Sequence, residues 1–452
     1  MSTFSTSLRR APAPSSVEPL RCRRCAERMG RNMESMNAEP NPRTRTSAAE
    51  LDRSDPLANL RDAFAVPEGV IYLDGNSLGA LPKGVPARLD RVIREQWGEG
   101  LIRSWNDADW YEMPMRVGDR IAPLIGAGPG EVVVGDSTSI SLFRVVAAGL
   151  GLQPDRNVIV TEGGNFPTDL YILEGLQGLR HDLEIRQSSA GQDPAELLDQ
   201  RTALLVLTQV DYKSGLVKDM KRLTEAAHAA GALAVWDLSH STGIIPVELN
   251  ASGADFAIGC GYKYLNGGPG APSYTWVAPR HVNRVAQPLA GWLGHNDPFA
   301  FTPEYVPAPG IRRFITGTQQ VLSLAALDEA MKIWEGISIK QVREKSILQT
   351  SRFIEGVEAR CEGLGLALAS PRDPAVRGGQ VSFTHERGYA VMQALIARGV
   401  VGDFRAPNLL RFGFSPLYLS FAEIDRAVDV LAEILTTRSW DDPRYTERRR
   451  VT

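Results

Sequence analysis

Between residues 132 and 260, short aliphatic or β-branched runs alternate with helical stretches, and this rhythm limits the possible folds more than any other feature. Val132–Val134, Val158–Thr161, Leu204–Thr208, Ala232–Asp237 and Phe256–Gly259 read as strands; Ile140–Leu150, Leu170–Gly178 and Met220–Ala230 read as helices between them. Short runs that are apolar throughout suit strands buried on both faces. The expected class is therefore α/β, a mostly parallel sheet covered by helices. Helical stretches near Leu322–Trp334 and Ile339–Cys361 lead into strand Gln380–Thr384, helix Tyr389–Arg398, strand Leu409–Phe414 and helix Phe421–Thr436, which reads as a smaller C-terminal α+β domain. The expected partition is a disordered extension over 1–50, a large domain over 51–335, a small domain over 336–440 and a tail over 441–452.

The first fifty residues are rich in Ser, Pro and Arg and show no apolar periodicity, so burial cannot offset their ordering entropy. They are similar to an organelle transit peptide, and initiation at Met33 or Met36 fits equally well. A net charge of -3 over 452 residues gives no electrostatic reason to expect nucleic acid or anionic lipid as a partner. No apolar run reaches the roughly 20 residues needed to cross a bilayer. Four cysteines cannot form a disulfide framework in so long a chain, which points to a reducing, cytoplasmic setting. Cys22 and Cys25 have the spacing of half a zinc site, but no second pair follows and no metal is expected; Cys260 and Cys361 read as buried small hydrophobes.

In open α/β sheets ligands bind beyond the C-terminal strand ends, where loops meet helix N-termini. The chemistry-bearing residues fall there. Asp237 ends an apolar strand and is followed by Ser239 and His240; Lys263 lies just past the next strand, among aromatics and glycines. A lysine to hold an aldehyde and an acid to keep a pyridine nitrogen protonated are what pyridoxal phosphate (PLP) chemistry requires. The stretch Gly135–Ser139 joins a strand to a helix, so Thr138 and Ser139 are candidates for binding a phosphate at the positive end of that helix. Phe166, Pro167, Thr168 and Asp169 follow another strand and could set an aromatic face against a cofactor ring.

With these motifs in order, the chain resembles the kynureninases, fold-type I enzymes of aminotransferase class V, in their bacterial form. The stretches that carry the resemblance run from Tyr72-Leu73-Asp74-Gly75-Asn76-Ser77-Leu78-Gly79 through Phe166–Asp169, Trp236–His240, Gly259–Asn266, Gly291–His295 and Phe314–Thr318 to Leu410–Tyr418. The resemblance implies hydrolytic cleavage of the Cβ–Cγ bond of L-kynurenine to anthranilate and L-alanine, with PLP as cofactor. It implies that Lys263 carries the Schiff base and takes the Cα proton, that Asp237 pairs with the pyridine nitrogen, that Phe166 stacks on the ring and that Tyr262 donates a proton. Thr138, Ser139, Thr208, His240 and Tyr262 would contact ring or phosphate, with Trp292 and Thr318 supplied by the neighbouring subunit of a homodimer. Arg411 matches the family's binder of the substrate α-carboxylate, and Asn76, Ser77, Trp105 and Thr318 would also face the substrate. A tryptophan face offers no hydrogen-bond acceptor for an extra ring hydroxyl, so Trp105 predicts a preference for L-kynurenine over its 3-hydroxy form. The alternatives on the same scaffold are a cysteine desulfurase or selenocysteine lyase, which needs a thiol on a mobile loop, and a catalytically silent PLP-binding protein.

Overall fold

The computed structural model describes residues 46–447. The stretch 1–45, with Cys22, Cys25, Met33 and Met36, and the last five residues lie outside the described residues. Part of the stretch expected to be disordered, residues 47–50, is helical or caps a helix. Ser47 and Glu50 form a capping box that starts the helix Ala48–Arg53. Asp52 on that helix accepts hydrogen bonds from the backbone N–H groups of Phe421 (2.7 Å) and Ala422 (3.1 Å), so 47–52 is held by the N-terminus of the helix Phe421–Thr437.

Strand β1 (Ile71–Tyr72) precedes the large sheet, whose strands are β2 (Val132–Val134), β3 (Val158–Glu162), β4 (Glu184–Ser188), β5 (Thr202–Thr208), β6 (Leu233–Asp237), β7 (Phe256–Cys260) and β8 (Ser273–Val277). They pair in the order β2-β8-β7-β6-β5-β3-β4. Only β8 runs against its neighbours. The sheet is mostly parallel, as the apolar runs require, and β5 and β7 are buried along their whole length. The helix Thr138–Leu152 lies against one face, with Val145 and Val146 in the same apolar cluster as Leu204 and Phe256. At Gly149 a Cβ would come within 2.8 Å of Leu204 Cδ2, so a larger residue there would have to displace that side chain.

The C-terminal sheet is antiparallel. Its strands β9 (Ala367–Leu368), β10 (Gln380–Thr384), β12 (Asp403–Arg405) and β13 (Leu409–Gly413) pair as β12-β13-β10-β9, while β11 (Val400–Val401) pairs in parallel with β1. That pairing carries the segment after β1 across both sheets. Gly413 N donates to Leu73 O at 2.7 Å, and Gly79 N donates to Tyr262 O at 2.8 Å. A Cβ at Gly79 would sit 2.3 Å from Lys263 O. The residues 73–79 thus lock the loop that carries Lys263 against the C-terminal sheet. Among the described residues no helix is long and apolar enough to cross a membrane.

Candidate active site

Five strands of the large sheet deliver side chains to one cavity of about 130 Å³ at their C-terminal ends. Thr138 and Ser139 open the helix after β2, and Phe166, Thr168 and Asp169 follow β3. Thr208 ends β5, and Asp237 ends β6 directly beside it in register. Ser239 and His240 come from the turn after β6, and Tyr262 and Lys263 from the loop after β7. A parallel sheet makes this convergence automatic, because every such strand points the same way. The cavity adjoins a hollow of about 410 Å³ that shares Thr138, Ser139 and Tyr262. Pro167 is the first residue of the helix Pro167–Leu179, where its missing N–H leaves nothing unpaired.

Lys263 Nζ lies 2.9 Å from His240 Nε2 and 5.7 Å from the centre of the Tyr262 ring. Burial, then the positive charges of Lys263, Arg411 and Arg405, push the His240 imidazole well below its usual range, so the ring is neutral. Burial raises the Asp237 carboxyl, although Ser239 N donates to its Oδ1 at 2.7 Å. Burial and the Asp237 charge raise Asp169 well above an ordinary carboxylate. Thr208 Oγ1 donates to Asn165 Oδ1 and, at 3.3 Å, to Asp169 Oδ2. Burial raises the Tyr262 phenol, helped by Cys260 and Asp237, so it stays protonated and able to donate.

These groups fit PLP. Among the described residues the buried His240 Nδ1 and Asn165 Nδ2 have no hydrogen-bond partner, which suits a wall completed by a polar ligand. The helix Thr138–Leu152 aims its N-terminus and two hydroxyls at one end of the cavity, where a phosphate is favoured. Asp237 waits in the interior, and Phe166 offers a ring face with Tyr212 edge-on at 5.2 Å. Sequence reasoning missed Tyr212, whose neighbours Asp211 and Lys213 make the segment read as a polar loop. Its carbonyl accepts hydrogen bonds from Arg411 Nη1 (2.7 Å) and Gln380 Nε2 (2.9 Å), so it joins the cavity to the C-terminal sheet.

Arg411 on β13 is 2% exposed. Asn76 and Ser77 serve it rather than lining the cavity: Arg411 Nη2 donates to Ser77 Oγ at 2.8 Å, and Asn76 packs beside it, bonded to Gln380. Within one chain, three expected residues stay away from Lys263. Trp292 is 39% exposed and packs with Phe299 and Phe301. Thr318 lines a separate hollow with Asp136 and Thr316, and Trp105 packs edge-on against Trp110 at 6.0 Å. The two described cysteines, Cys260 and Cys361, are free and buried, and burial raises both thiols, so neither is a nucleophile on an open loop.

A curated kynureninase from Burkholderia pseudomallei (strain 1106a) is 50% identical over 415 residues, spanning 91% of this chain and all of the relative. The chain belongs to the kynureninase family. A kynureninase from Pseudomonas fluorescens is 51% identical over 90% of the chain. The model of the kynureninase C-terminal domain matches residues 342–431. Among solved structures, an apo cysteine desulfurase from Thermococcus onnurineus NA1 covers 84% of the chain, and 98% of its own, with TM-score 0.70 at 22% identity. A lysine-to-alanine mutant of C-DES, with glycine covalently linked to its PLP cofactor, covers 82% of the chain and 99% of its own with TM-score 0.71 at 15% identity. At those identities the likeness carries the fold alone, and the cavity described above lies at the C-terminal strand ends, where open α/β sheets bind ligands.

Proposed function

We propose that the cavity around Lys263 performs kynureninase chemistry, the PLP-dependent hydrolysis of L-kynurenine to anthranilate and L-alanine. The observation that carries this reading is the grouping of Lys263, Asp237, His240 and the helix N-terminus of Thr138–Ser139 in one cavity of a kynureninase-family chain. When bound, PLP supplies an electron-withdrawing ring that stabilises negative charge developing beside the substrate amino group. Lys263 would hold the cofactor aldehyde and, once displaced by substrate, serve as the base at Cα, with neutral His240 accepting from its ammonium. Asp237 would keep the pyridine nitrogen protonated, and Phe166 would press on the ring. Thr138 and Ser139 would receive the phosphate, and Tyr262, protonated and beside Lys263, would return a proton to the alanine carbon. Arg411 would bind the α-carboxylate with a permanent positive charge.

The same reading makes the enzyme a homodimer. Trp292, Phe299 and Phe301 on one segment, and Trp97, Leu101 and Ile102 on another, are large exposed apolar side chains of the kind that mark an interface. Trp292 and Thr318 of the neighbouring subunit would complete the cavity in the assembled enzyme, and Trp105 with Thr318 would confer the preference for L-kynurenine. The low cysteine number supports a cytoplasmic setting. Incubating the protein with PLP and L-kynurenine should produce anthranilate fluorescence, absent in Lys263→Ala at unchanged melting temperature. Turnover of L-cysteine in place of L-kynurenine would overturn the reading.

A further inference from the structure

Arg411 has little left to offer a substrate. Of its five N–H groups, Nε donates to Asp403 Oδ1 at 2.8 Å, Nη1 to Tyr212 O at 2.7 Å, and Nη2 to both Ser77 Oγ and Asp403 Oδ2. One N–H remains. A bidentate pair with a carboxylate needs two. The acid that holds Arg411 is itself shared. Asp403 lies directly opposite Arg411 in the β12–β13 register, and its Oδ2 also accepts a hydrogen bond from Ser77 Oγ at 2.7 Å and forms an ion pair with Arg405 Nη2 at 2.8 Å.

Arg405 is two residues beyond Asp403 on β12, so both side chains leave the same face of the strand. Unlike Arg411, its side chain is 38% exposed. Apart from the ion pair with Asp403, its one hydrogen bond among the described residues goes to the carbonyl of its neighbour Phe404, at 3.2 Å, leaving at least two N–H groups for a ligand. Its charge acts on His240, which lines the cavity. One carboxylate between two guanidinium groups also leaves a positive charge over, which an incoming carboxylate would neutralise.

We propose that Arg405 is the second arm of a two-guanidinium clamp on the substrate α-carboxylate, with Arg411 gripping from the buried side, Arg405 from the open side and Asp403 holding the two apart at fixed spacing. This rests on the reading that an α-amino acid binds at Lys263. Arg405 touches substrate but performs no proton transfer, so its removal acts on affinity before rate.

The test is spectroscopic titration of PLP-loaded enzyme with L-alanine and with L-alaninamide, which differ only in the carboxylate. In Arg405→Gln the Kd for L-alanine should rise by about 10- to 100-fold while that for L-alaninamide stays within about threefold. KM for L-kynurenine should rise in step, with a smaller change in kcat. Arg405→Lys, which keeps the charge, should restore part of the L-alanine affinity and serves alone if the Gln variant is unstable. Equal weakening of both ligands, or of neither, in either variant overturns the clamp. A wild-type enzyme that binds both ligands but leaves L-kynurenine intact would instead defeat the functional reading, while the ratio of the two affinities still reports on Arg405.

Discussion

Asp74 is the residue whose protonation the structure makes most consequential. It lies beside the Asp403–Arg405–Arg411 cluster, and burial together with the Asp403 charge raises its carboxyl to about 7. Burial also acts on Asp403, but Arg411 and Arg405 more than offset it and hold that carboxyl below its usual range, so Asp403 is the ionised partner. Tyr72 and Tyr264, also near, are kept neutral by burial. Below about pH 7, then, the cluster carries two arginines and one carboxylate; above it, Asp74 ionises and cancels the surplus charge. KM for L-kynurenine should rise with pH above this transition, by at most about tenfold per unit, and Asp74→Asn should flatten that rise relative to wild type. Parallel KM profiles in the two proteins would remove Asp74 from substrate binding. At this scale the sequence showed Lys263 and Asp237 because each follows an apolar strand, whose end has a predictable place. It did not show Arg405 or Asp403. Gly402-Asp403-Phe404-Arg405-Ala406-Pro407 reads as a polar turn, and only the three-residue strand β12 aligns both side chains with Arg411.

Elements hold the site by what they do at their far ends. Asp255, at the start of β7 away from Lys263, is 1% exposed and receives His228 Nε2 and His281 Nε2 at 2.8 Å each, Arg280 Nη2 at 2.6 Å and Ala234 N at 2.8 Å. Burial alone would raise this carboxyl, but the hydrogen bonds from His281, Ala234 and His228 hold it below its usual range. A depressed carboxylate stabilises the fold above its unfolded pKa of about 3.9 and ceases to as pH falls through its lower folded value. Asp255→Asn should therefore destabilise by roughly 3–5 kcal/mol near neutrality, and the gap to wild type in thermal melts should narrow in acid. A gap independent of pH would mean that packing, not charge, sets the contribution. Strands β3, β5, β6 and β7 were legible as apolar runs. Strand β4, with Glu184, Arg186 and Gln187, was not, since an edge strand need not be apolar. The two-residue strands β1, β9 and β11 are too short for any periodicity, yet β1–β11 pairing is what brings Asp74, Asn76 and Ser77 to Arg411.

For the whole molecule, the proposed homodimer predicts that Trp292 completes the neighbouring subunit's cavity. Mixing Lys263→Ala with Trp292→Ala subunits, each impaired alone, should restore activity toward about a quarter of the wild-type sites, because half of the random dimers pair one intact site with one doubly damaged site. No recovery in verified mixed dimers would place Trp292 outside the neighbour's cavity. The α/β class could be read from the strand rhythm, whereas the joining of residues 47–79 to the C-terminal sheet could not, since it depends on partners more than 300 positions away, such as Arg61 with Glu423. The central claim is that Lys263 anchors PLP and yields it to substrate, and borohydride reduction of the loaded enzyme followed by peptide mass analysis tests it directly. The phosphopyridoxyl group should be found on Lys263, and L-kynurenine added before reduction should lower that labelling; a label on another lysine, or one on Lys263 that substrate never displaces, would contradict the account.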